Sequence, residues 1–121
     1  MTLGTEWLVD ATGCDAAALR RVDVLERLFA RVIDEVQLKP LHAPAFHVFP
    51  GEGGITGFVM LSESHLAIHT FPEHQAATIN LYCCRPRPEW AWSERLAELI
   101  GATDVRVRVV ERELAPAGML T

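Results

Sequence analysis

Two segments of the chain carry apolar residues at helical spacing. In residues 19–36 they recur every three or four positions over about five turns. Asp15 suits the N-cap of this helix, and Pro40 lies beyond its end. Residues 89–100 repeat the pattern after a proline that suits a first helical turn, and Gly101 can end it. The pattern therefore predicts two amphipathic helices.

Alternating or short apolar runs predict six strands. They cover residues 5–12, 45–49, 55–61, 65–71, 77–84 and 104–111. Strands that surround two helices indicate an α+β fold, which we expect to be a two-layer sandwich. Its sheet should be mostly antiparallel, with both helices on one face. The other face then needs a cover, so we expect the chain to dimerise. The segment after Leu114 should be loose.

Composition limits the classes of function. The chain has 121 residues, half of them apolar and 22% charged, which predicts a single domain with a substantial core. A net charge of −5 argues against nucleic acid and is compatible with a cationic substrate. Three cysteines and no leader-like or membrane-length apolar run favour a cytoplasmic protein with reduced thiols, away from membranes.

Strand alternation separates two neighbouring cysteines. It directs Cys83 into the core and Cys84 onto a polar face, where the adjacent Arg85 could favour its thiolate. A buried thiol is the ordinary structural interpretation of any single cysteine. Cys84 is therefore the cysteine that is better placed for a catalytic role.

The histidines do not form a recognisable metal motif. His65 and His69 share one strand face but lie about 13 Å apart, too far to bind one ion. A site from His69, His74 and Cys84 is a less favoured alternative, and we expect no metal. Residues 62–65 combine two hydroxyls, a carboxylate and an imidazole, which by themselves indicate a polar turn.

Residues 61–74, LSESHLAIHTFPEH, resemble the processing-site signature of the bacterial S-adenosylmethionine decarboxylases. Residues 8–15, 46–49 and 54–57 also fit that family. Residues 80–84, NLYCC, end where its catalytic cysteine is expected. The resemblance extends over residues 6–85 and is looser beyond them.

The resemblance implies a chain that cuts itself between Glu63 and Ser64. The Ser64 hydroxyl would attack the preceding carbonyl, and β-elimination would follow. The products would be a β chain, residues 1–63, and an α chain, residues 64–121, which begins with a pyruvoyl group made from Ser64. This ketone would absorb the negative charge left by decarboxylation, as pyridoxal phosphate does.

The resemblance also implies roles in proton transfer. His69 would assist self-cleavage, with Thr56 as its supporting hydroxyl. Cys84 would protonate the substrate Cα after CO₂ leaves. If the strand ends coincide, Ser64, His69 and Cys84 can converge.

Substrate contacts follow from the same resemblance. Phe49 would stack on adenine, and Glu73 would hold the ribose hydroxyls. Phe71 and Trp7 are further aromatic candidates near a sulfonium cation, although core packing explains them equally well. The product would be the aminopropyl donor of spermidine synthesis.

Several positions depart from the family's usual residues: Glu6, Phe71, His74, Asn80 and Arg85 replace His, Trp, Tyr, Asp and Gly. They put the substrate in question, because relatives of this fold decarboxylate L-ornithine or L-arginine. Phe49 and Glu73 favour S-adenosylmethionine. An inactive homologue that binds a small molecule is the alternative outside enzymes.

Overall fold

One six-stranded sheet organises residues 2–115, the part of the chain that this computed structural model describes. Its strands are β1 (Thr2–Thr12), β2 (Ala45–Val48), β3 (Ile55–Leu61), β4 (Ser64–Phe71), β5 (Ala76–Cys83) and β6 (Asp104–Glu113). They lie in the order β2-β3-β4-β5-β1-β6, and every neighbouring pair is antiparallel. The helices are α1 (Ala16–Leu19), α2 (Val22–Val36) and α3 (Trp92–Ile100).

The core lies between the helices and one face of the sheet. Leu66 and Ile68 of β4 are fully buried, as are Leu28 and Phe29 of α2 and Leu96 of α3. Burying such side chains stabilises the fold by about 1.5–3 kcal/mol each. The predicted α+β sandwich with an antiparallel sheet is therefore confirmed.

The opposite face of the sheet, which we call the open face, has no helix from residues 2–115 over it. Phe58 and Met60 of β3 and Phe71 of β4 are 40–49% exposed there. These side chains alternate with buried ones along each strand, so the same pleat that builds the core exposes them.

The first predicted helix is divided in two. Asp15 caps α1 as predicted, because the Ala17 N–H donates to its carboxylate at 3.0 Å. The Leu19 carbonyl then accepts a hydrogen bond from the Thr70 hydroxyl rather than from the next helical turn. The helix stops at this residue, and α2 begins at Val22.

The start of the last helix is a correction. It begins at Trp92, not at residue 89, so Pro88 is not in its first turn. Trp90 and Trp92 are both buried and pack edge to face at 4.9 Å. Burial of these indoles outweighs the local helical signal before them. Gly101, with φ 70°, ends the helix as predicted.

The predicted loose segment after Leu114 falls largely on residues 116–121, which lie outside the described residues. Within residues 2–115, the helices are too short and too polar to cross a membrane.

Candidate functional site: two clusters on one strand

The turn between β3 and β4 contains the predicted cleavage bond. Leu61 pairs with Ser64, so only Ser62 and Glu63 form the turn. Glu63 has φ 70°, in the left-handed region that side-chain-bearing residues disfavour. Ser64 is the first residue of β4 and is half-buried. The bond therefore follows a residue with an unfavourable backbone conformation.

Cys84 lies beside this bond. Ser64 pairs with Cys83 across β4 and β5, and the Cys84 N–H donates to the Glu63 carbonyl at 3.1 Å. Cys84 is exposed, whereas Cys83 is buried. Burial raises the pKa of the Cys83 thiol to about 11. The predicted division between a core cysteine and an accessible one is confirmed.

The Glu63 side chain is held by Arg85. Nη2 of Arg85 donates to Oε1 of Glu63 at 3.1 Å, and Nε donates to Oε2. This pairing lowers the pKa of the Glu63 carboxyl. The direct partner of the Arg85 guanidinium is therefore this carboxylate, and its expected action on Cys84 stays a prediction. We call Glu63, Ser64, Cys84 and Arg85 the cleavage cluster.

Five other predicted site residues line one cavity of about 440 Å³ at the far end of β4: Phe49, Thr56, His69, Phe71 and Glu73. Thr56 and His69 are cross-strand partners, and Oγ1 lies 3.0 Å from Nδ1. With the ring proton on Nε2, the hydroxyl donates to Nδ1 and fixes the ring, while Nε2 faces away from it. We call this set the aromatic pocket.

A buried threonine supports the aromatic pocket. The Thr70 hydroxyl accepts from the Ile55 N–H and donates to the Leu19 carbonyl, both at 2.9 Å. Gly54 approaches this strand so closely that a Cβ would lie 2.8 Å from the Thr70 carbonyl. Sequence reasoning missed Thr70. Its signal was a hydroxyl at a core position of the alternating strand.

The two clusters lie at opposite ends of β4. Ser64 and His69 are five residues apart, which is roughly 17 Å along a strand. The expected convergence of Ser64, His69 and Cys84 within one chain is therefore wrong. One chain unites Ser64 with Cys84, and separately unites His69 with the predicted substrate contacts.

Trp7 belongs to neither cluster. It is 6% exposed, on the helix side of β1, within the hydrophobic core. Trp7 packs in the core and does not face the open side where substrate contact was predicted, because strand alternation directs its side chain toward the helices.

Glu6 and Asn80, two of the positions that depart from the family's usual residues, form a polar network on the open face. Arg112 donates to one Glu6 carboxylate oxygen at 2.7 Å, and the Asn80 amide donates to the other at 2.7 Å. Since the amide nitrogen faces Glu6, the Asn80 oxygen accepts from Nε2 of His65, also at 2.7 Å. The Asn80 hydrogen bond, followed by Arg112, lowers the pKa of Glu6. Glu6 is thus a paired anion, a role that sequence reasoning missed.

The metal alternative has no geometric support among the described residues. In residues 2–115, no group of three or more histidine, cysteine or acidic side chains is positioned to hold an ion.

Comparisons with known proteins agree on one family. The family model described as S-adenosylmethionine decarboxylase matches residues 5–113. The chain is 34% identical over 118 residues to an S-adenosylmethionine decarboxylase proenzyme of Geobacillus kaustophilus, covering 95% of this chain and 91% of that protein. It is 36% identical over 117 residues to S-adenosylmethionine decarboxylase proenzyme 2 of Halalkalibacterium halodurans, covering 95% and 90%.

A solved structure gives the same result. The crystal structure of the adenosylmethionine decarboxylase from Aquifex aeolicus superposes with a TM-score of 0.79 at 29% identity, covering 96% of this chain and 95% of that one. The matched region includes the cleavage cluster and the aromatic pocket.

Proposed function

The chain belongs to the S-adenosylmethionine decarboxylase family, and we propose that it is a proenzyme that cuts itself at Glu63–Ser64 and decarboxylates S-adenosylmethionine. One observation carries the proposal. The residue before the predicted nucleophile has a left-handed backbone, and its carbonyl accepts a hydrogen bond from the Cys84 N–H. A disfavoured conformation and a polarised carbonyl both favour attack at that carbon.

Self-cleavage would proceed in three steps. The Ser64 oxygen attacks the Glu63 main-chain carbonyl carbon, and the C–N bond breaks, leaving an ester and a Ser64 amine that takes up the hydroxyl proton. The Cys84 N–H stabilises the negative charge that develops on the carbonyl oxygen. Loss of the Ser64 Cα proton then expels the main-chain carboxylate of Glu63 and leaves a dehydroalanine. This enamine tautomerises to an imine, which water hydrolyses to release ammonia. Residue 64 is left as a pyruvoyl group.

The residues around the cleavage bond suit a pyruvoyl group at position 64. Once formed, the pyruvoyl ketone would supply an electron sink for the charge left when CO₂ departs. Cutting would free residue 64 from the turn, so its new N-terminus could turn from the helix side of β4 toward the open face. The exposed Cys84 lies next to this strand end and can donate its thiol proton to the substrate Cα.

A homodimer would bring the two clusters together. A twofold axis between two stacked sheets, perpendicular to the strands, lays the Ser64 end of one β4 over the His69 end of the other. Facing sheets lie about 10 Å apart, within reach of side chains from both. The same contact would cover exposed Phe58 and Met60. We therefore infer a dimer with one active site at each end.

The aromatic pocket suits an adenosyl sulfonium. Phe49 and Phe71 supply aromatic faces for the adenine ring and the cation. Glu73 supplies acceptors for two ribose hydroxyls. The substrate's carboxyl and amine would then lie at the partner's cleavage cluster. We also infer a cytoplasmic enzyme whose product feeds spermidine synthesis as aminopropyl donor.

Intact-mass spectrometry under denaturing conditions tests the cleavage. Wild-type protein should give fragments 1–63 and 64–121, the second lacking the ammonia of a serine N-terminus. Ser64→Ala should remain one chain without decarboxylase activity, because it has no nucleophile. An intact wild-type chain, or normal cutting of Ser64→Ala, would contradict the proposal.

A further inference from the structure

Glu63 is an unusual place for a left-handed backbone. In residues 2–115, only Gln37, Glu63 and Gln75 have positive φ without being glycine. The two glutamines end helical turns, where such a conformation is common. Glu63 lies in a hairpin turn, where glycine or asparagine is the usual solution. Something outside its own backbone must therefore hold it.

Residues 84 and 85 hold Glu63 at two points. The Cys84 N–H binds its main-chain carbonyl at 3.1 Å. Arg85, the next residue, binds its side-chain carboxylate with two nitrogens. A planar guanidinium fixes a carboxylate in direction as well as in position. Two bonds from one dipeptide thus fix both the orientation of the carbonyl and the rotation of the residue.

Neighbouring positive charges do not duplicate this contact. Arg87 adds a long-range attraction to Glu63, but its hydrogen bond goes to the Pro86 carbonyl. Lys39 contacts the turn through its main chain, since its carbonyl accepts from the Ser62 N–H at 2.8 Å. Among the described residues, Arg85 alone pairs directly with the Glu63 carboxylate.

We propose that Arg85 is a positioning residue for self-cleavage, which clamps Glu63 so that its carbonyl stays aligned with the Cys84 N–H and the Ser64 hydroxyl. This inference rests on the proposed function. It also gives a role to an arginine at a position where the family resemblance suggests glycine. The Arg85 and Glu63 side chains are 67% and 45% exposed, so dissolved salt should weaken their pairing.

The rate of cutting in newly made protein tests the clamp. The chain is synthesised in a cell-free system, synthesis is stopped, and the cut fraction is followed by denaturing mass spectrometry. Arg85→Ala and Glu63→Gln should each slow cutting roughly fivefold, and the double variant should be no slower than either. Arg85→Lys should recover part of the rate, because it keeps the charge but not the paired geometry.

Two controls separate positioning from general stability. Arg87→Ala removes a charge from the same segment, and its rate of self-cleavage should stay within about twofold of the wild-type rate. In the uncuttable Ser64→Ala background, Arg85→Ala should leave the unfolding midpoint nearly unchanged. Raising salt to about 1 M should slow wild type toward the Arg85→Ala rate while leaving Arg85→Ala unaffected.

The outcomes are distinct. If wild type is cut and Arg85→Ala is cut as fast as Arg87→Ala, the clamp is wrong and the proposed function stands. If the effects of Arg85→Ala and Glu63→Gln multiply, the two residues act separately and the clamp is also wrong. If wild type is never cut, both proposals fail.

Discussion

Cys84 contributes two chemically separate groups to the cleavage cluster. Its main-chain N–H binds the Glu63 carbonyl, and its thiol is exposed beside the same strand end. A substitution can remove the thiol and leave the N–H. Cleavage and turnover should therefore respond differently at this one position.

Cys84→Ala should cut itself at close to the wild-type rate but turn over roughly 100-fold more slowly, the usual cost of losing a general acid. Mass spectrometry measures the first quantity, and CO₂ release from carboxyl-labelled substrate measures the second. Cys83→Ala is the adjacent comparison: its thiol is buried, so it should lose stability rather than proton transfer. Unchanged turnover in Cys84→Ala would remove the thiol from the mechanism.

The contrast between these cysteines was predictable because strand alternation is a strictly local rule. The same rule gives Trp7 its core position, which the family resemblance alone did not reveal. The pairing of Arg85 was not predictable from spacing. It depends on a hairpin turn and the end of β5 meeting across the sheet, 22 positions apart in sequence.

Strands β3 and β4 carry four of the predicted site residues, Thr56, Ser64, His69 and Phe71. One buried hydroxyl fixes these two strands to the helical layer. Thr70 joins β4 to the start of β3 and to the end of α1. Its two hydrogen bonds lie in the core, where a lost partner leaves a donor or acceptor unsatisfied.

Thr70→Val should lower the free energy of unfolding by about 1–3 kcal/mol, because it preserves shape but leaves the Ile55 N–H and the Leu19 carbonyl without partners. Denaturant unfolding of the Ser64→Ala chain measures this without interference from cutting. Thr12→Val, at an exposed position of β1, is the matched control. Equal stabilities for the two variants would show that the buried hydroxyl has no such role.

Helix and strand periods predict these elements well, since each is encoded by residues close in sequence. The break between α1 and α2 is different, because it depends on Thr70, 51 positions from Leu19. The separation of Ser64 from His69 follows from the rise of a strand and was available from sequence. The expected convergence of Ser64, His69 and Cys84 required the two residues to share a strand end, which this spacing does not allow.

The cleavage cluster and the aromatic pocket lie at opposite ends of β4 in one chain, and the proposed dimer would bring them together. If the active site combines the cleavage cluster of one subunit with the aromatic pocket of the other, variants in different clusters should complement. Such behaviour would distinguish a shared site from a dimer formed for stability alone.

Co-expressed Cys84→Ala and Glu73→Ala chains should recover roughly a quarter of wild-type turnover per subunit. Half the dimers would be mixed, and each mixed dimer would hold one intact site. Both variants should still be cut, because neither removes a group proposed for self-cleavage, and mass spectrometry checks this. Phe49→Ala with Glu73→Ala is the control, because both lie in the aromatic pocket and should give no gain. Recovery in the control, or none in the test pair, would contradict a shared site.

The most direct test of the whole account is reductive trapping on the intact protein. Purified wild-type protein is incubated with cyanoborohydride and one of three compounds, S-adenosylmethionine, L-ornithine or L-arginine, in separate reactions. The masses of the protein fragments are then measured by denaturing mass spectrometry. Fragment 64–121 should gain the mass of the decarboxylated adduct with S-adenosylmethionine, and it should gain no mass with L-ornithine or L-arginine. An adduct with ornithine or arginine instead, or no adduct on any fragment, would contradict the account.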